Sequence, residues 1–224
     1  MRFLCGKFLA MTIAILADDT LKNEWLQHQF PDGTEITWVD SVRSLQMIDA
    51  DCYVDLLFRN DPERNQQLAK LLPKPVLVNA VEDTLAGIGH AFIRINGWPT
   101  MLRRNIAEIV LPSSVTEDKV KNLFDVWQWP YQLAPDVPGM ITARVLAMII
   151  NEAWFTLGAE VSSKEEIDIA MKLGTNYPMG PFEWSEQIGL QRVYALLQQL
   201  ETTDPRYTPA PALVAAIHTK PATL

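Results

Sequence analysis

Acidic residues stand where the first predicted strand ends. A five-residue apolar stretch, Thr12–Leu16, runs into an amphipathic helix through the turn Ala17-Asp18-Asp19-Thr20. A strand that feeds a helix in this way is how a dinucleotide-binding domain begins, and there the turn holds the pyrophosphate. Such a turn is normally built from glycines, but Gly33 is the only glycine between Gly6 and Gly87. Two carboxylates therefore occupy a position at which phosphate binding would be expected.

These two aspartates would repel a diphosphate. Two unit charges about 4 Å apart repel by roughly 4 kcal/mol at an effective dielectric constant near 20. The carboxylates of Asp18 and Asp19 can instead accept hydrogen bonds from the free N–H groups at the start of the helix. We therefore expect them to cap this helix, in the place of a bound phosphate.

Asp40 is a second candidate cofactor residue. It follows the predicted strand Glu35–Val39 and lies 22 residues after Asp18. In a dinucleotide-binding fold an acidic residue near this position binds the adenosine ribose. An aspartate at the end of a strand is also an ordinary helix cap, so both interpretations stay open.

No other group of side chains has the spacing of a metal site or of an activated nucleophile. His28, His90 and His218 are far apart in the sequence, so no metal is expected. Cys5 and Cys52 show no disulfide or ligand spacing. Their pattern favours a reducing, cytoplasmic setting and buried, unreactive thiols.

Composition and charge exclude several classes of partner. Of 224 residues, 48% are hydrophobic and 21% charged, which is typical of a soluble globular protein. The formal net charge of −8 argues against nucleic acid and anionic membranes as partners. Residues 1–10 have a basic start and a few apolar residues, so a signal peptide has to be considered. Gly6 and Lys7 interrupt the apolar run and Met11 is a plausible start, so we favour an N-terminal extension.

Strand-like stretches alternate with helical patterns over residues 11–134. This alternation predicts an α/β domain with a doubly wound, mainly parallel, Rossmann-like sheet. Asp61 followed by Pro62 is a typical helix start. The predicted strands are Thr12–Leu16, Glu35–Val39, 52–58, 74–81, 90–95 and 105–111, with a last edge strand in "PYQLA".

Residues 135–224 predict an all-helical second domain. Ile141–Leu157 is one long apolar helix, and Ser162–Leu173 opens with the cap-like sequence "SSKEE". Gly174 is expected to end that helix. A helical domain of this size needs buried surface from a neighbour to be stable. It should therefore dock on the first domain, or form a dimer, or do both.

The helical half resembles the C-terminal domain of the 3-hydroxyacyl-CoA dehydrogenases, a fold also described as 6-phosphogluconate dehydrogenase C-terminal-like. The residues that carry this resemblance are "PGMITARVLAMIINEAWFTLG" and the pattern AMKLG-x-N-x-PMGPFE-(x)4-IGL, within about 136–217. The first half is similar more loosely, through "ADCYVDLLF" and "RINGWPTM…AEIV". The resemblance implies a Rossmann domain, a helical dimerisation domain, and NAD-linked oxidation of a 3-hydroxyacyl-CoA in fatty-acid metabolism. The PMGPF residues themselves carry no proton or hydride chemistry, so they predict a tight turn with Phe182 and Trp184 packed in a core.

The resemblance also implies a catalytic histidine, which this sequence lacks. In the family, a histidine in a His-Phe-Phe-Asn-Pro segment removes the hydroxyl proton, and a glutamate twelve residues on holds it. Alignment on Pro99 places Ile95 at the histidine position and leaves Glu108 within one residue of the glutamate position. His90 lies five residues before Ile95, an odd offset that would point to the opposite face of a strand.

Two substrate positions are only partly retained. The family sequence Asn-Thr-Ser-Ser falls on "NAVE", so that Asn79 matches and the serines do not. The family asparagine before the retained Arg144 is Ala143 here. The segment between the second and third strands is also too short for the helical hairpin that clasps the CoA arm in the family.

Three functions remain compatible with these residues. The favoured one is a degenerate relative, or pseudoenzyme, that does not bind NAD and retains a role in binding an acyl-CoA-like ligand or a partner, with a homodimer formed through the helical domain. The second is an active NAD-dependent dehydrogenase with a non-standard site. The third is a purely structural interaction module, suggested by the apolar helix Ile141–Leu157 and by seven tryptophans.

Overall fold

The computed structural model describes residues 11–219. Cys5 and the other residues of the extension at 1–10 lie outside the described part. The chain forms two compact units that divide between Asp136 and Val137, two residues after the predicted boundary between 134 and 135.

The first unit is an α/β unit of seven strands. The strands are β1 (Met11–Leu16), β2 (Thr34–Val39), β3 (Cys52–Asp55), β4 (Val76–Val78), β5 (Ile93–Ile95), β6 (Ala107–Val110) and β7 (Tyr131–Leu133). The helices are α1 (Asp19–Trp25), α2 (Val42–Met47), α3 (Pro62–Ala69), α4 (Leu85–Ile88) and α5 (Glu117–Val126).

The strands form one sheet in the order β2-β1-β3-β4-β5-β6-β7. All neighbouring pairs are parallel except β5 and β6, which are antiparallel. The predicted doubly wound, mainly parallel fold is confirmed, with β7 at the edge. The strand order reverses between β1 and β3, so the connections that follow these two strands lead to opposite sides of the sheet. Open α/β sheets bind ligands at the carboxyl ends of the strands at such a point.

Alternation along the strands creates two separate cores. The core on the side of α1 and α5 contains Ile13, Ile15, Val54, Leu77, Ile95, Ala107 and Ile109. The core on the side of α2 and α3 contains Ala14, Leu16, Tyr53, Val76 and Val78. Neighbouring residues of one strand therefore belong to different environments, which decides the geometry of the candidate site.

Several predicted strands are longer than the real ones. The pattern at 90–95 predicts a strand that includes His90, but β5 begins at Ile93. His90 therefore precedes the strand, and the argument from its odd offset was wrong because strand alternation does not apply there. Its ring stacks on Phe92 instead, with 5.4 Å between centroids. The short helix α4 was not predicted.

The second unit is all helical, as predicted. It contains α6 (Thr142–Gly158), α7 (Lys164–Thr175), α8 (Pro181–Ile188), α9 (Leu190–Glu201), a 3-10 turn at Pro205–Tyr207, and α10 (Pro211–Thr219). Ser163 and Glu166 form the predicted capping box at the start of α7. The prediction that Gly174 ends this helix was wrong, because α7 continues to Thr175 and Asn176 adopts the left-handed conformation that ends it.

Within residues 11–219, no helix is both long and apolar enough to cross a bilayer. The same residues contain no group of three His, Cys, Asp or Glu side chains placed to hold a metal ion. Cys52 is fully buried, and this burial raises the pKa of its thiol strongly. An unreactive, buried thiol is what its sequence context predicted.

Candidate functional site

Asp18 caps α1. Its Oδ1 accepts a hydrogen bond from the Leu21 N–H at 2.9 Å, while its backbone is extended, as in other N-cap residues. Asp19 is the first residue of the helix, so its carboxylate lies near the positive end of the helix dipole. Both side chains are exposed. The capping prediction is confirmed for Asp18, and the residues of this turn do not fit a pyrophosphate group.

Asp40 lies at the carboxyl end of β2 and is exposed. Its Oδ1 accepts a hydrogen bond from the Ser44 hydroxyl at 3.0 Å, and Ser41 is the N-cap of α2. Asp40 thus supports the first turn of that helix. It also lines a groove of about 390 Å³ beside β1 and β3, together with Arg43 and Arg64. The hydrogen bond from Ser44 supports the interpretation of Asp40 as part of a helix cap. The groove beside it leaves room for the other interpretation, a ribose-binding residue.

Asn79 is buried after β4 and uses its whole amide on the backbone. Its Nδ2 donates to the carbonyls of Leu56 at 3.0 Å and Gly97 at 2.9 Å. Its Oδ1 accepts from the Gly97 N–H at 3.0 Å. A Cβ atom at Gly97 would lie 2.7 Å from Cγ of Asn79. Asn79 therefore ties together the segments that follow β3 and β5.

Glu108 is on the opposite face of the sheet from Ile95. Ile95 pairs with Ile109 across β5 and β6, and both belong to the α1–α5 core. Because side chains alternate along a strand, Ala107 shares the face of Ile95 and Glu108 does not. The one-residue difference from the family spacing therefore moves the glutamate away from the histidine position.

Glu108 is bonded to the next residue of β5 instead. Asn96 donates from Nδ2 to Glu108 Oε2 at 3.1 Å, and both residues are buried. The Asn96 N–H also donates to the Glu108 carbonyl at 2.9 Å. This pair was not predicted, although an asparagine one residue after Ile95 was the available signal.

Two residues at family site positions form a hydrogen bond with each other. The Trp98 indole N–H donates to Glu82 Oε1 at 2.9 Å. Trp98 stands at the asparagine of the His-Phe-Phe-Asn-Pro segment, and Glu82 stands at a serine of Asn-Thr-Ser-Ser. Trp98 is fully buried. A large apolar side chain and its acceptor thus fill the corner between the ends of β4 and β5.

Arg94 is a buried cation that sequence analysis did not identify. Its Nε donates to the carbonyl of Ala80 at 2.8 Å and its Nη2 to that of Val81 at 3.2 Å. Its Nη1 forms an ion pair with Asp136 at 2.6 Å, and Asp136 also accepts the Leu85 N–H. Desolvation lowers the pKa of the Arg94 guanidinium, and Asp136 opposes that change. An arginine inside the apolar stretch "HAFIRI" was the signal.

The PMGPFE motif is a helix start built around Asp168. Its carboxylate accepts the N–H groups of Phe182 at 2.8 Å and Glu183 at 3.1 Å. A Cβ atom at Gly180 would lie 2.2 Å from Asp168 Cγ, so only glycine fits there. Phe182 and Trp184 are buried, which confirms the structural interpretation of this motif.

Arg144 lines an apolar groove of about 790 Å³ in the second unit. Its Nε donates to the Tyr207 hydroxyl at 2.8 Å, and its guanidinium lies 4.8 Å from the centre of the Tyr207 ring. Val145, Met148 and Glu152 of α6 line the same groove. Arg144 is therefore held firmly at one end of an open, mostly apolar surface.

Comparisons with known proteins agree with the helical motifs. The model of the 3-hydroxyacyl-CoA dehydrogenase C-terminal domain matches residues 139–221. The 3-hydroxyadipyl-CoA dehydrogenase of Escherichia coli is 38% identical over 160 residues, which are 70% of this chain and 30% of that protein. The 3-hydroxybutyryl-CoA dehydrogenase of Clostridioides difficile is 39% identical over 127 residues, 54% of this chain and 44% of that one. The matches thus span less than half the length of these relatives.

A solved structure has the same fold over nearly the whole chain. The (S)-3-hydroxybutyryl-CoA dehydrogenase PaaH1 of Ralstonia eutropha superposes with a TM-score of 0.71 at 21% identity, covering 93% of this chain and 94% of that one. At this identity the likeness concerns the fold alone. The chain belongs to the 3-hydroxyacyl-CoA dehydrogenase family, as the sequence matches in its helical unit show.

Proposed function

We propose that this chain is a degenerate member of its family, which neither binds NAD in the usual manner nor oxidises a 3-hydroxyacyl-CoA. The observation that carries this proposal is the hydrogen bond from the Leu21 N–H to Asp18. In a working site the start of this helix is free to bind a pyrophosphate. Here the chain's own carboxylate occupies that position and adds negative charge.

The residues at the catalytic positions support the same proposal. Ile95 is a core residue that cannot accept a proton, and Ala107 is its counterpart on the same face. Glu108 and Asn79 form hydrogen bonds within the protein. General acid–base catalysis needs a titratable group within hydrogen-bond reach of the substrate hydroxyl. Neither Ile95 nor Ala107 can supply such a group.

Cofactor titrations test this proposal directly. We expect tryptophan fluorescence and calorimetry to stay flat with NAD and NADH up to millimolar concentrations. We also expect no NADH oxidation with acetoacetyl-CoA, in an assay where an active family member is the control. Saturable binding of NADH together with turnover would overturn the proposal and establish the active-dehydrogenase alternative. A CoA-thioester titration in the same series tests whether an acyl-CoA-like ligand still binds.

We also propose that the chain forms a homodimer through the second unit. Several apolar side chains of this unit are largely exposed, among them Val145 (58%), Val161 (71%) and Leu173 (83%). Exposed apolar surface of this extent marks an interaction site in a soluble protein. We expect light scattering after size exclusion to give twice the chain mass at micromolar concentration, and a monomer at every concentration would contradict the dimer.

Charges along α6 are arranged to complement a second copy. Arg144 has no partner for its terminal amino groups, and Glu152 none for its carboxylate, among residues 11–219. They lie eight residues, about 12 Å, apart on one helix, so they cannot meet within a chain. If two α6 helices cross antiparallel about a two-fold axis at Met148, Arg144 of each copy faces Glu152 of the other. Such self-complementarity is what a two-fold interface requires.

A cytoplasmic location is part of the same proposal. It is supported by the free, buried thiol of Cys52 in the first unit. If protein isolated from cells contained Cys52 in a disulfide bond, that finding would argue against this location.

A further inference from the structure

The segment that joins β5 to β6 is irregular and is held from the side of α1. Residues 98–106 form turns and bends without a helix or strand. The His28 Nε2 lies 2.5 Å from the Leu102 carbonyl oxygen. The Trp129 indole donates to the Arg104 carbonyl at 2.9 Å, and the His28 ring packs on the Trp129 ring at 4.0 Å between centroids. The segment is thus attached at several backbone positions.

The innermost of these attachments is a buried carboxyl group. Glu24 of α1 is only 7% exposed, and its Oε1 accepts the Thr100 N–H at 2.5 Å. Its other oxygen, Oε2, has no hydrogen-bond partner among residues 11–219. The Thr100 hydroxyl is also buried and without a partner in that part of the chain. Glu24 and Thr100 therefore each keep one buried polar atom unsatisfied.

Thr100 is also in a strained conformation. Its φ is +80°, in a region that β-branched residues rarely adopt. Backbone strain of this kind persists only where surrounding contacts hold it, and it is released when those contacts open. The Glu24–Thr100 contact therefore restrains a segment whose backbone strain favours opening.

We propose that Glu24 is a proton-linked latch for residues 98–106, which pack tightly over α1 when Glu24 carries a proton and loosen when it ionises. An ionised carboxylate would keep a charged oxygen buried with no donor, which is costly. A proton on the carboxyl group removes this charge, so the buried oxygen no longer carries an uncompensated negative charge. The closed segment therefore favours the neutral acid.

The charged groups that face Glu24 oppose this effect but do not reverse it. Burial raises the pKa of Glu24, whereas the amides of Thr100, Leu102 and Arg103 and the Arg103 charge lower it, with a net increase. His28, the titratable group on the α1 side, bonds to the carbonyl of Leu102.

The sign of the pH effect follows from this raised pKa. Below the ordinary pKa of a glutamate, the open and closed forms are both protonated and ionisation has no cost. Between that value and the raised pKa of the closed form, the open form is ionised while the closed form keeps its proton. Opening therefore releases a proton in this window and becomes easier as the pH rises. One proton released on opening makes the opening constant increase by up to about tenfold per pH unit within that window. Above it the constant is level.

Hydrogen exchange of the full chain tests the latch. We would measure exchange in peptides from 98–106 between pH 4 and 8, corrected for intrinsic rates, for the wild type and for Glu24→Gln. The glutamine is neutral at every pH, and its amide oxygen can still accept the Thr100 N–H. We expect exchange of the wild-type segment to accelerate with pH, and the segment of Glu24→Gln to be protected and independent of pH. Glu35→Gln, at an exposed site on β2, is the matched control and should behave as wild type.

Two results would overturn the proposal. One is corrected exchange in 98–106 that does not change with pH in the wild type, and the other is the same pH slope in Glu24→Gln. The carboxyl carbon resonance of Glu24 in the wild-type chain gives a readout that needs no variant. It should titrate above the ordinary glutamate range, and titration at or below that range would also reject the latch.

Discussion

Asn96 donates its side-chain amide to the Glu108 carboxylate across the antiparallel pair β5–β6, at 3.1 Å. Both residues are at most 5% exposed. Glu108, one residue away from the family glutamate position, is thereby joined to a neutral amide. The pair stabilises the antiparallel contact between β5 and β6.

Removal of the Asn96 amide should destabilise the first unit. In Asn96→Ala the buried Glu108 carboxylate has one donor fewer, which should lower the free energy of unfolding by about 1–3 kcal/mol at pH 7. Urea denaturation would measure this change, and Asn105→Ala, at an exposed position, is the control. In the background of Glu108→Ala the cost of Asn96→Ala should be much smaller. Equal costs in the two backgrounds would show that the pair is not coupled.

Breaking the ion pair between Asp55 and Arg64 should make the free energy of unfolding depend on pH. Asp55 is fully buried at the end of β3, and Arg64 binds both its oxygens, at 2.7 and 2.8 Å. Arg64→Met should cost toward the lower end of about 3–5 kcal/mol at pH 7, because the Arg64 side chain is 24% exposed. Burial already raises the pKa of Asp55 against the effect of Arg64. Without Arg64 the pKa should increase further.

The sign of this effect is opposite to ordinary acid denaturation. A carboxyl group with a raised pKa carries a cost above that pKa, which disappears as the pH falls toward its ordinary value. The penalty of Arg64→Met should therefore decrease between pH 7 and pH 5 in denaturation experiments. Asp55→Asn combined with Arg64→Met should show no such decrease, and a decrease in that double variant would assign the effect to another group.

Gly180→Ala should destabilise the second unit through Asp168. The new methyl group would overlap the Asp168 side chain, at 2.2 Å from its Cγ, and such overpacking costs about 1–3 kcal/mol. The cost should largely vanish when Asp168 is itself alanine. Gly174→Ala is the matched control: nothing lies within 4 Å of its Cβ position and it is inside α7, so this change should stabilise by about 0.5–1 kcal/mol. Thermal unfolding of the four variants would measure these differences.

Charge reversal should report the arrangement of two α6 helices. Arg144→Glu and Glu152→Arg each place like charges together in the proposed dimer, so each should weaken dimerisation about tenfold or more. The double variant restores opposite charges and should dimerise like the wild type. Sedimentation would measure the dissociation constants. Met148→Cys should cross-link to its own copy under oxidation. If neither single charge reversal weakens dimerisation and Met148→Cys does not cross-link, this arrangement of the α6 helices is rejected, although the chain would still be a dimer.

Local features of the fold were predictable from the sequence. Asp18, Asp61 and Ser163 were recognised as helix caps because a cap acts within three residues of itself. Gly174 was misjudged because glycine is compatible with a helix interior, and the end of α7 was determined by Asn176.

The candidate site was less predictable because its contacts are distant in sequence. Glu108 was assigned from a spacing that is off by one residue, and in a strand one residue means the opposite face. Arg94 and Asp136 are 42 residues apart, and Glu24 and Thr100 are 76 apart. No periodicity or motif connects such pairs. They become visible only when the strand register is known.

The cap at the start of α1 also limits what a change in conditions can restore. A free phosphate competes for a helix end in proportion to its own concentration, whereas Asp18 belongs to the same chain as the Leu21 N–H that it caps and is never diluted. More cofactor in the medium therefore gains little against it. Under the proposed function, restoring a nucleotide site would therefore require a change to the first turn of α1 itself.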